Sequence, residues 1–238
     1  IITDLRTAEM IKYASNAFLA TKISFINEIA NVCERVGADV DVVAAGMGMD
    51  TRIGRQFLKA GLGYGGSCFP KDVRALNQIA GTNGYTFRLL RAVIEVNNAQ
   101  RLVVLAKLRR HLGTLRGKRI GVLGLAFKQE TDDVRESAAV DICRRLLHAG
   151  ARVRAYDPVA ASNAAAQLGT RVRIAANPAE VARGADALVV ATEWDLFRTL
   201  NWRALRQLCR RPLIVDGRNI LDRAVLERAG FTYEGIGR

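Results

Sequence analysis

Residues 119–124 read Arg-Ile-Gly-Val-Leu-Gly, a short apolar run that ends in glycine and predicts a β-strand. A helix is expected over residues 137–147, and residues 153–157, Val-Arg-Ala-Tyr-Asp, then predict a second strand that stops at Pro158. A strand, a helix and a strand at this spacing form a βαβ unit, whose strands are parallel and whose crossover is right-handed. This stretch therefore decides the fold class of the carboxyl-terminal half.

Two further apolar runs, residues 188–191 and 213–216, continue the same alternation. Helices are expected at about residues 160–168, 179–182, 202–208 and 223–229. Alternating strands and helices are typical of an α/β protein with a doubly wound, Rossmann-like parallel sheet.

Conspicuous side chains follow three of these strands. Phe127 and Lys128 come after the first strand, Glu193 and Trp194 after the strand at 188–191, and Arg218 after the last. Doubly wound sheets bind ligands outside the carboxyl ends of their strands, so these positions are candidate ligand contacts.

The first strand also carries a degenerate dinucleotide fingerprint, Gly121-x-x-Gly124-x-Ala126. In a dinucleotide fold an acidic residue follows about 20 residues later, whereas Asp157 lies 33 residues after Gly124. This spacing argues against an NAD site on this sheet.

The amino-terminal half is predicted to be helical. A helix is expected from Thr7, as its N-cap, to about Val36, with Gly37 as its stop. Its apolar positions recur at spacings of three and four, at Met10, Ile11, Ala14, Ala17, Phe18 and Thr21. Further helices are expected at residues 40–47, from Pro70 to the breaker at residues 81–84, and at about 87–108; residues 111–118 are the best linker. The predicted domains are residues 1–112, helical, and residues 113–238, built on the sheet.

Residues 61–72 read Gly-Leu-Gly-Tyr-Gly-Gly-Ser-Cys-Phe-Pro-Lys-Asp. Pro70 suits the first helical position, so Cys68 lies within about two residues of a helix N-terminus. The helix dipole and the charge of Lys71 favour a thiolate at Cys68, the form that attacks carbon. Asp72, four residues later, falls on the same helical face and is a candidate to hold or activate a water. The alternative is that Cys68 is a small buried apolar residue.

Lys12 and Asn16 lie four residues apart and therefore share one face of the first helix. An exposed polar stripe would give the same pattern. A lysine beside a developing alkoxide would supply the charge stabilisation that oxidation of an alcohol needs.

Five blocks of sequence carry a resemblance to a known family. They are residues 7–18 (Thr-Ala-Glu-Met-Ile-Lys-Tyr-Ala-Ser-Asn-Ala-Phe), 65–72 (Gly-Gly-Ser-Cys-Phe-Pro-Lys-Asp), 124–128 (Gly-Leu-Ala-Phe-Lys), 192–195 (Thr-Glu-Trp-Asp) and 216–219 (Asp-Gly-Arg-Asn). In this order they resemble the UDP-glucose/GDP-mannose dehydrogenase family over nearly the whole chain. In that family an NAD-binding Rossmann domain precedes the matched segment, so the resemblance implies the central and carboxyl-terminal parts of a longer enzyme.

The resemblance also implies roles for individual residues. The catalytic set is Cys68, Lys12, Asn16 and Asp72. The substrate contacts are Arg52, Phe57, Leu58, Lys59, Ala60, Gly61, Tyr64, Gly65, Phe127, Lys128 and Arg218. The contacts with NAD are Cys68, Lys71 and Arg135. Two alternatives stay open: Arg52 as a plain surface side chain, and Arg135 as a partner of Asp132 or Asp133 at the start of a helix.

The activity that the resemblance implies is NAD-dependent oxidation of UDP-glucose to UDP-glucuronate in two steps, through a thiohemiacetal and a thioester on the cysteine. The second domain would hold the UDP, and the chain would form a homodimer. Residues 192–194 favour the UDP-glucose branch, with GDP-mannose or a UDP-amino-sugar as alternatives. A further alternative is a nucleotide-sugar-binding and dimerisation module without activity of its own.

Composition bounds the remaining possibilities. Lys and Arg number 36 against 23 Asp and Glu, a net charge of +13, which raises the question of a nucleic-acid or membrane partner. No nucleic-acid-binding motif is present and aromatic residues are only 6%, so neither partner is expected. The four cysteines are widely spaced without a CxxC pair, which argues against a metal site and favours a reducing compartment. With no apolar run of about 18 residues and no signal peptide, the expected location is the cytoplasm.

Overall fold

The computed structural model describes all 238 residues and divides the chain into two compact units. Unit 1 comprises residues 1–100 with Gly237 and Arg238, and unit 2 comprises residues 101–236. The division falls inside a helix, whereas the sequence places the domain boundary after residue 112; that boundary stays a prediction. None of the helices combines the length and apolar character needed to cross a bilayer.

Unit 1 is helical. Its helices are α1 (Leu5–Val36), α2 (Val40–Met47), α3 (Phe69–Thr82) and α4 (Arg88–Leu112), the last of which continues into unit 2. The predicted N-cap Thr7 is wrong, because helix α1 begins two residues earlier and the Asp4 carboxylate accepts the Thr7 N–H at 3.0 Å. Gly37 ends the helix in the left-handed region with φ 75°, as predicted.

Most of the apolar stripe predicted for helix α1 is not buried, and Ala17 is the member of it that reaches the core. Met10, Ile11 and Phe18 are 45%, 46% and 66% exposed. The buried residues of the helix are mostly small or polar: Ala17, Ala20, Ser24, Ile26, Asn27, Ala30 and Cys33. Small side chains allow helix α3 to approach closely, so the core of unit 1 combines Ala17 and Ala20 with larger residues from the neighbouring elements. These are Tyr64, Val73, Leu76, Leu90 and Val93.

Unit 2 contains a six-stranded parallel sheet in the order β3-β2-β1-β4-β5-β6. The strands are β1 (Arg119–Leu123), β2 (Arg152–Tyr156), β3 (Val172–Ile174), β4 (Ala187–Val190), β5 (Leu213–Asp216) and β6 (Thr232–Glu234). The helices are α5 (Ala138–His148), α6 (Ala161–Leu168), α7 (Pro178–Ala182), α8 (Asp195–Arg198), α9 (Trp202–Leu208) and α10 (Arg223–Arg228). The chain runs outward from β1 to β3 and then from β4 to β6, so the predicted doubly wound α/β fold is confirmed. The switch point lies between β1 and β4.

The shortest elements of unit 2 were absent from the prediction. Strands β3 and β6 have three residues each, and helix α8 has four, so none shows a readable hydrophobic period. The sheet core is nevertheless continuous, because every residue of β4 and β5 is buried.

Gly124 directly follows strand β1 and sets the path of the chain at the switch point. Its φ is +94°, and a Cβ built there would lie 2.6 Å from the Thr192 backbone nitrogen. We predict that Gly124→Ala lowers the free energy of unfolding by about 2–4 kcal/mol, since backbone strain and overpacking add.

The matched control is Gly117→Ala, which has φ +73° but no atom within 4 Å of the built Cβ. It should cost only the backbone strain, about 1 kcal/mol. Urea denaturation of both variants measures the difference, and equal losses would contradict the close approach to Thr192.

Candidate functional site

In unit 1, a buried carboxylate gathers polar side chains from two helices. Asp72, in the first turn of helix α3, is 1% exposed. Its Oδ2 accepts a hydrogen bond from Asn16 Nδ2 at 2.7 Å and lies 3.7 Å from Lys12 Nζ. Its Oδ1 lies 3.2 Å from Lys71 Nζ. The structure therefore brings Lys12, Asn16, Lys71 and Asp72 together as one cluster.

Electrostatics keeps Asp72 ionised. Burial by itself raises the pKa of Asp72, but the hydrogen bonds from Asn16 and Lys71 and the positive charge of Lys12 outweigh it, so the pKa lies below its ordinary value of 3.8. In return, the Asp72 carboxylate raises the pKa of Lys71. An anion of this kind is a weak base, but it holds Asn16 and the two ammonium groups in place.

Cys68 lies one helical turn before Asp72. It is the N-cap of helix α3, where its carbonyl oxygen accepts the Asp72 N–H at 2.9 Å, and its side chain is exposed. The alternative of a buried apolar cysteine is therefore wrong. Burial raises the pKa of Cys143 to about 12 and that of Cys209 to about 11. Since the remaining thiol, Cys33, is also buried, Cys68 is the accessible nucleophile.

The glycine-rich loop before Cys68 is held by buried amides that the sequence analysis missed. Asn27 Oδ1 accepts the Gly61 N–H at 2.8 Å, and Gln100 Nε2 donates to the Gly61 carbonyl at 2.9 Å. Asn97 accepts the Tyr64 N–H at 2.7 Å and donates to the Tyr64 carbonyl at 3.2 Å. The available signal was that Asn97 and Gln100 continue the three- and four-residue spacing of the buried residues Leu90 and Val93 on helix α4.

These bonds limit what the loop can offer a ligand. The backbone N–H and carbonyl oxygen of Gly61 and of Tyr64 already have hydrogen-bond partners within unit 1. The Tyr64 ring is buried in the core of this unit. Leu58 and Ala60 are buried as well, whereas Phe57 and Lys59 are exposed and Gly65 is partly so. Their roles as substrate contacts stay predictions.

Arg52 lies on the surface. Its guanidinium forms a two-pronged pair with Asp50, with Nη2 2.6 Å from Oδ2, and its side chain is 87% exposed. The structure thus agrees with the alternative that Arg52 is a plain surface side chain. No contact joins Arg52 to the Asp72 cluster, and its role as a substrate contact stays a prediction.

In unit 2, Arg218 spans the switch point. Its Nε donates to the Ala191 carbonyl at 2.9 Å and lies 3.3 Å from Glu193 Oε2, while Nη2 donates to the Phe127 carbonyl at 3.3 Å. The guanidinium thus links the segments that follow β1 and β4, where the sequence placed candidate ligand contacts. Lys128 is exposed, with its Nζ 5.6 Å from the centre of the Phe127 ring.

Asp157 directly follows strand β2, and its carboxylate fills the turn after β1, a contact that the sequence did not predict. Its Oδ2 accepts the N–H groups of Leu125 at 2.7 Å and Ala126 at 3.0 Å and the indole N–H of Trp194 at 3.0 Å. In a dinucleotide fold, a helix N-terminus immediately after this turn would receive the pyrophosphate. Here the N–H groups are used, and helix α5 does not begin until Ala138, so the turn does not fit NAD.

Arg135, the predicted NAD contact, pairs with Asp133, with Nη2 2.7 Å from Oδ2. It lies before Ser137, the N-cap of helix α5. The ion pair that the sequence offered as the alternative is therefore present, and a contact with NAD stays a prediction.

Comparison with known protein families gives two matches, one in each of the two units of the chain. The UDP-glucose/GDP-mannose dehydrogenase family matches twice, through its central domain at residues 6–99 and its UDP binding domain at residues 121–223. The chain therefore belongs to the UDP-glucose/GDP-mannose dehydrogenase family.

Among its relatives are two UDP-glucose 6-dehydrogenases of Bacillus subtilis (strain 168). TuaD is 51% identical over all of this chain and 52% of its own length, and YwqF is 53% identical over 99% of this chain and 54% of its own length. A solved UDP-glucose dehydrogenase from the hyperthermophilic archaeon Pyrobaculum islandicum is 40% identical, with a TM-score of 0.90, over 100% of this chain and 52% of its own. The chain thus spans about half the length of the relatives it matches.

The Asp72 cluster predicts a pH-dependent stability. Because the folded-state pKa is lowered, the stabilisation is present above the ordinary value of 3.8 and is lost as the pH falls through the folded value. We expect Asp72→Asn to cost about 1–2 kcal/mol at pH 7, a modest figure because both lysines are largely exposed. The free energy of unfolding of the variant should also change less between about pH 4 and pH 2.

Glu9→Gln, which changes an exposed carboxylate on helix α1, is the control and should leave both quantities unchanged. Chemical denaturation across this pH range measures them. Parallel pH profiles for wild type and Asp72→Asn would rule out the ionised cluster.

Proposed function

We propose that this chain forms the cysteine-bearing and UDP-binding parts of an NAD-dependent UDP-glucose 6-dehydrogenase. The observation that carries the proposal is the cluster of Lys12, Asn16 and Asp72 one helical turn from the only exposed thiol. Oxidation of an alcohol through an aldehyde to an acid needs such a set: a nucleophile to retain the aldehyde, and a cation to stabilise successive oxyanions.

Cys68 acts on the aldehyde carbon at C6 of the sugar. The Sγ–C6 bond forms while the carbonyl π pair moves to oxygen, and the resulting alkoxide takes up a proton to give a thiohemiacetal. When bound, NAD⁺ supplies a hydride acceptor for C6 both before and after this addition. The second oxidation leaves a thioester, and water then adds at C6, the S–C bond breaks and a carboxylate remains. Retention on sulfur keeps the aldehyde from escaping.

Lys12 and Asn16 stabilise the oxyanion at each stage. The Lys12 side chain is 63% exposed, so its ammonium can face a ligand while it stays near Asp72. Asn16 uses Nδ2 on Asp72, which fixes the amide and leaves its oxygen for the substrate or a water. Asp72 itself, with its lowered pKa, positions these groups, and any part it takes with the hydrolytic water is through orientation rather than strong basicity.

Contacts with NAD on this chain would come from cations at the surface. Lys71, 67% exposed, and Arg135, also exposed, are the candidates. The β1 turn of unit 2 is excluded by Asp157, as described above, so no dinucleotide is assigned to the sheet.

The pyrophosphate or sugar of the substrate is assigned to Lys128 and Arg218 in unit 2. Arg218 has Nη1 left for a ligand after its bonds to carbonyl oxygens, and Lys128 adds an exposed charge beside Phe127. A UDP binding domain at residues 121–223 contains both residues and supports this assignment.

The central test is Cys68→Ser in the enzyme that carries this chain. We expect the yield of NADH per UDP-glucose, two for the wild type, to fall, and uronate formation to drop more than about a thousandfold because no thioester forms. Cys143→Ala, which removes a buried thiol, is the control and should retain acid formation. Unchanged turnover of Cys68→Ser would remove Cys68 from the mechanism.

Other nucleotide sugars are the alternative substrates. Solved structures similar to this chain include a UDP-D-ManNAc dehydrogenase from Pyrococcus horikoshii, 30% identical, and a GDP-mannose dehydrogenase, 27% identical. Calorimetry with UDP-glucose, UDP-amino-sugars and GDP-mannose ranks them, and tighter binding of any but UDP-glucose would overturn the substrate choice. Binding of UDP-glucose without turnover would favour a module for binding and dimerisation.

The free state of all four cysteines is consistent with the reducing conditions of the cytoplasm, where we place the enzyme.

A homodimer is the proposed assembly, and helix α1 supplies the reason. Ile11, Phe18, Phe25 and Val32 recur every seven residues, so they form one stripe, and they are 46%, 66%, 48% and 52% exposed. An exposed apolar stripe of this length favours a second apolar surface, and a second copy of the chain offers the same stripe.

We predict that Phe18→Glu/Phe25→Glu converts the dimer to a monomer, since burial of the two rings would be replaced by burial of two charges. Sedimentation velocity measures the change. The control is Tyr85→Glu, an aromatic residue 65% exposed outside the stripe, which should leave the dimer intact. A dimer that persists in the double variant would place the interface elsewhere.

A further inference from the structure

Unit 2 has a second charged region, at the amino ends of strands β1 to β3. A cavity of about 560 Å³ lies there and is lined by six arginines. They are Arg119, Arg152, Arg154, Arg171, Arg173 and Arg183. Because the strands are parallel, this cavity lies at the edge of the sheet opposite Arg218 and the other candidate ligand contacts.

The sheet register places several of these charges against one another. Arg119 is directly opposite Arg152, and Arg154 is directly opposite Arg173. Residues 152 and 154 share a face of strand β2, since successive side chains alternate. Like charges directly opposite on neighbouring strands destabilise a sheet. Five of the six arginines are exposed, so water and salt screen part of this repulsion, and an anion bound between the guanidiniums would remove more of it.

No carboxylate of the chain neutralises the cluster. None of the six guanidiniums has a carboxylate oxygen within 4.0 Å, and the only hydrogen bonds that they make are those of Arg154 to the carbonyl oxygens of Glu180 and Arg183. The Glu180 carboxylate accepts the Ala176 N–H. Asp186 accepts the Arg119 backbone N–H at 2.9 Å and lies 3.8 Å from Arg210 Nε, so its contacts are with a peptide group and with an arginine outside the cavity.

We propose that this cavity binds a small anion that carries several phosphate groups. A guanidinium group can donate two parallel hydrogen bonds to the oxygens of one phosphate. Six guanidiniums around one cavity are more than a singly charged anion would need, so an anion with several phosphates fits the site better. No aromatic ring lines the cavity, so stacking of a nucleobase would contribute nothing and the phosphates would carry recognition. The site is independent of the dehydrogenase proposal, because it shares no residue with the Asp72 cluster or with Arg218.

The test uses isothermal titration calorimetry of tripolyphosphate on the full chain, with Arg152→Gln/Arg173→Gln as the variant. Each lost guanidinium removes a charge-assisted contact, and we expect the double variant to bind at least about tenfold more weakly. Arg203→Gln/Arg228→Gln is the matched control: it removes the same charge from exposed positions outside the cavity and should change the affinity less than about twofold.

Stability without ligand separates loss of a site from loss of the fold. Since the opposed arginines repel, Arg152→Gln/Arg173→Gln should raise the melting temperature by about 1–3 °C. At the same concentration, tripolyphosphate should raise the melting temperature of the double variant less than that of the wild type.

Three results would overturn the proposal. One is equal weakening by the control variant, which would mean general charge attraction. Another is binding of tripolyphosphate no tighter than that of sulfate at matched ionic strength. The third is that a single-stranded RNA of about 20 nucleotides binds more tightly than tripolyphosphate at matched phosphate concentration, and that the cavity variant abolishes this binding. That result would assign the surface to a nucleic acid.

Discussion

The Asp72 carboxylate, buried at the start of helix α3, is the constraint around which unit 1 is arranged. A buried carboxylate without partners costs several kcal/mol, so its oxygens must meet donors or cations. Asn16 and Lys12 meet this need from helix α1, and Lys71 meets it from the neighbouring position. The rotation of helix α1 against helix α3 is thereby fixed, and with it the direction in which Lys12 and Asn16 face. The turn that buries Asp72 also places Cys68 at the helix N-terminus.

In unit 2 the same requirement is met by peptide groups. Asp157 takes the amides of the β1 turn, and the Asp216 carboxylate at the end of strand β5 accepts the N–H groups of Ile220 and Leu221, both at 2.8 Å. A carboxylate here has the place that a phosphate has in a dinucleotide fold. Because the turns are already saturated, the charged contacts open to a ligand come from side chains such as Arg218. This is the physical difference between the sheet of unit 2 and a sheet that binds NAD through its first turn.

The sequence predicted most elements because glycine and proline mark their ends and because strands β1, β2, β4 and β5 are apolar runs. It could not show which face of helix α1 is buried, since a run of apolar residues at helical spacing fits a core and an exposed stripe equally well. The amides Asn27, Asn97 and Gln100 were missed because their partners lie 34, 33 and 39 residues away, beyond any local pattern. The grouping of Lys12 and Asn16 with Asp72 came from the family resemblance, whereas spacing alone placed the first two on one face.

The two ends of the sheet in unit 2 show when a high positive charge indicates a site. At the carboxyl ends, Arg218 is paired with Glu193 and with carbonyl oxygens, so the fold itself balances part of its charge and leaves Nη1 for a ligand. At the amino ends, the arginines of strands β1 to β3 oppose one another in register and have no carboxylate among them. Composition reports both ends only as a surplus of arginine. The register separates them, because arginines held opposite one another on neighbouring strands repel and converge on one cavity, where a single anion can contact several of them. Scattered charges on exposed helices do not converge in this way.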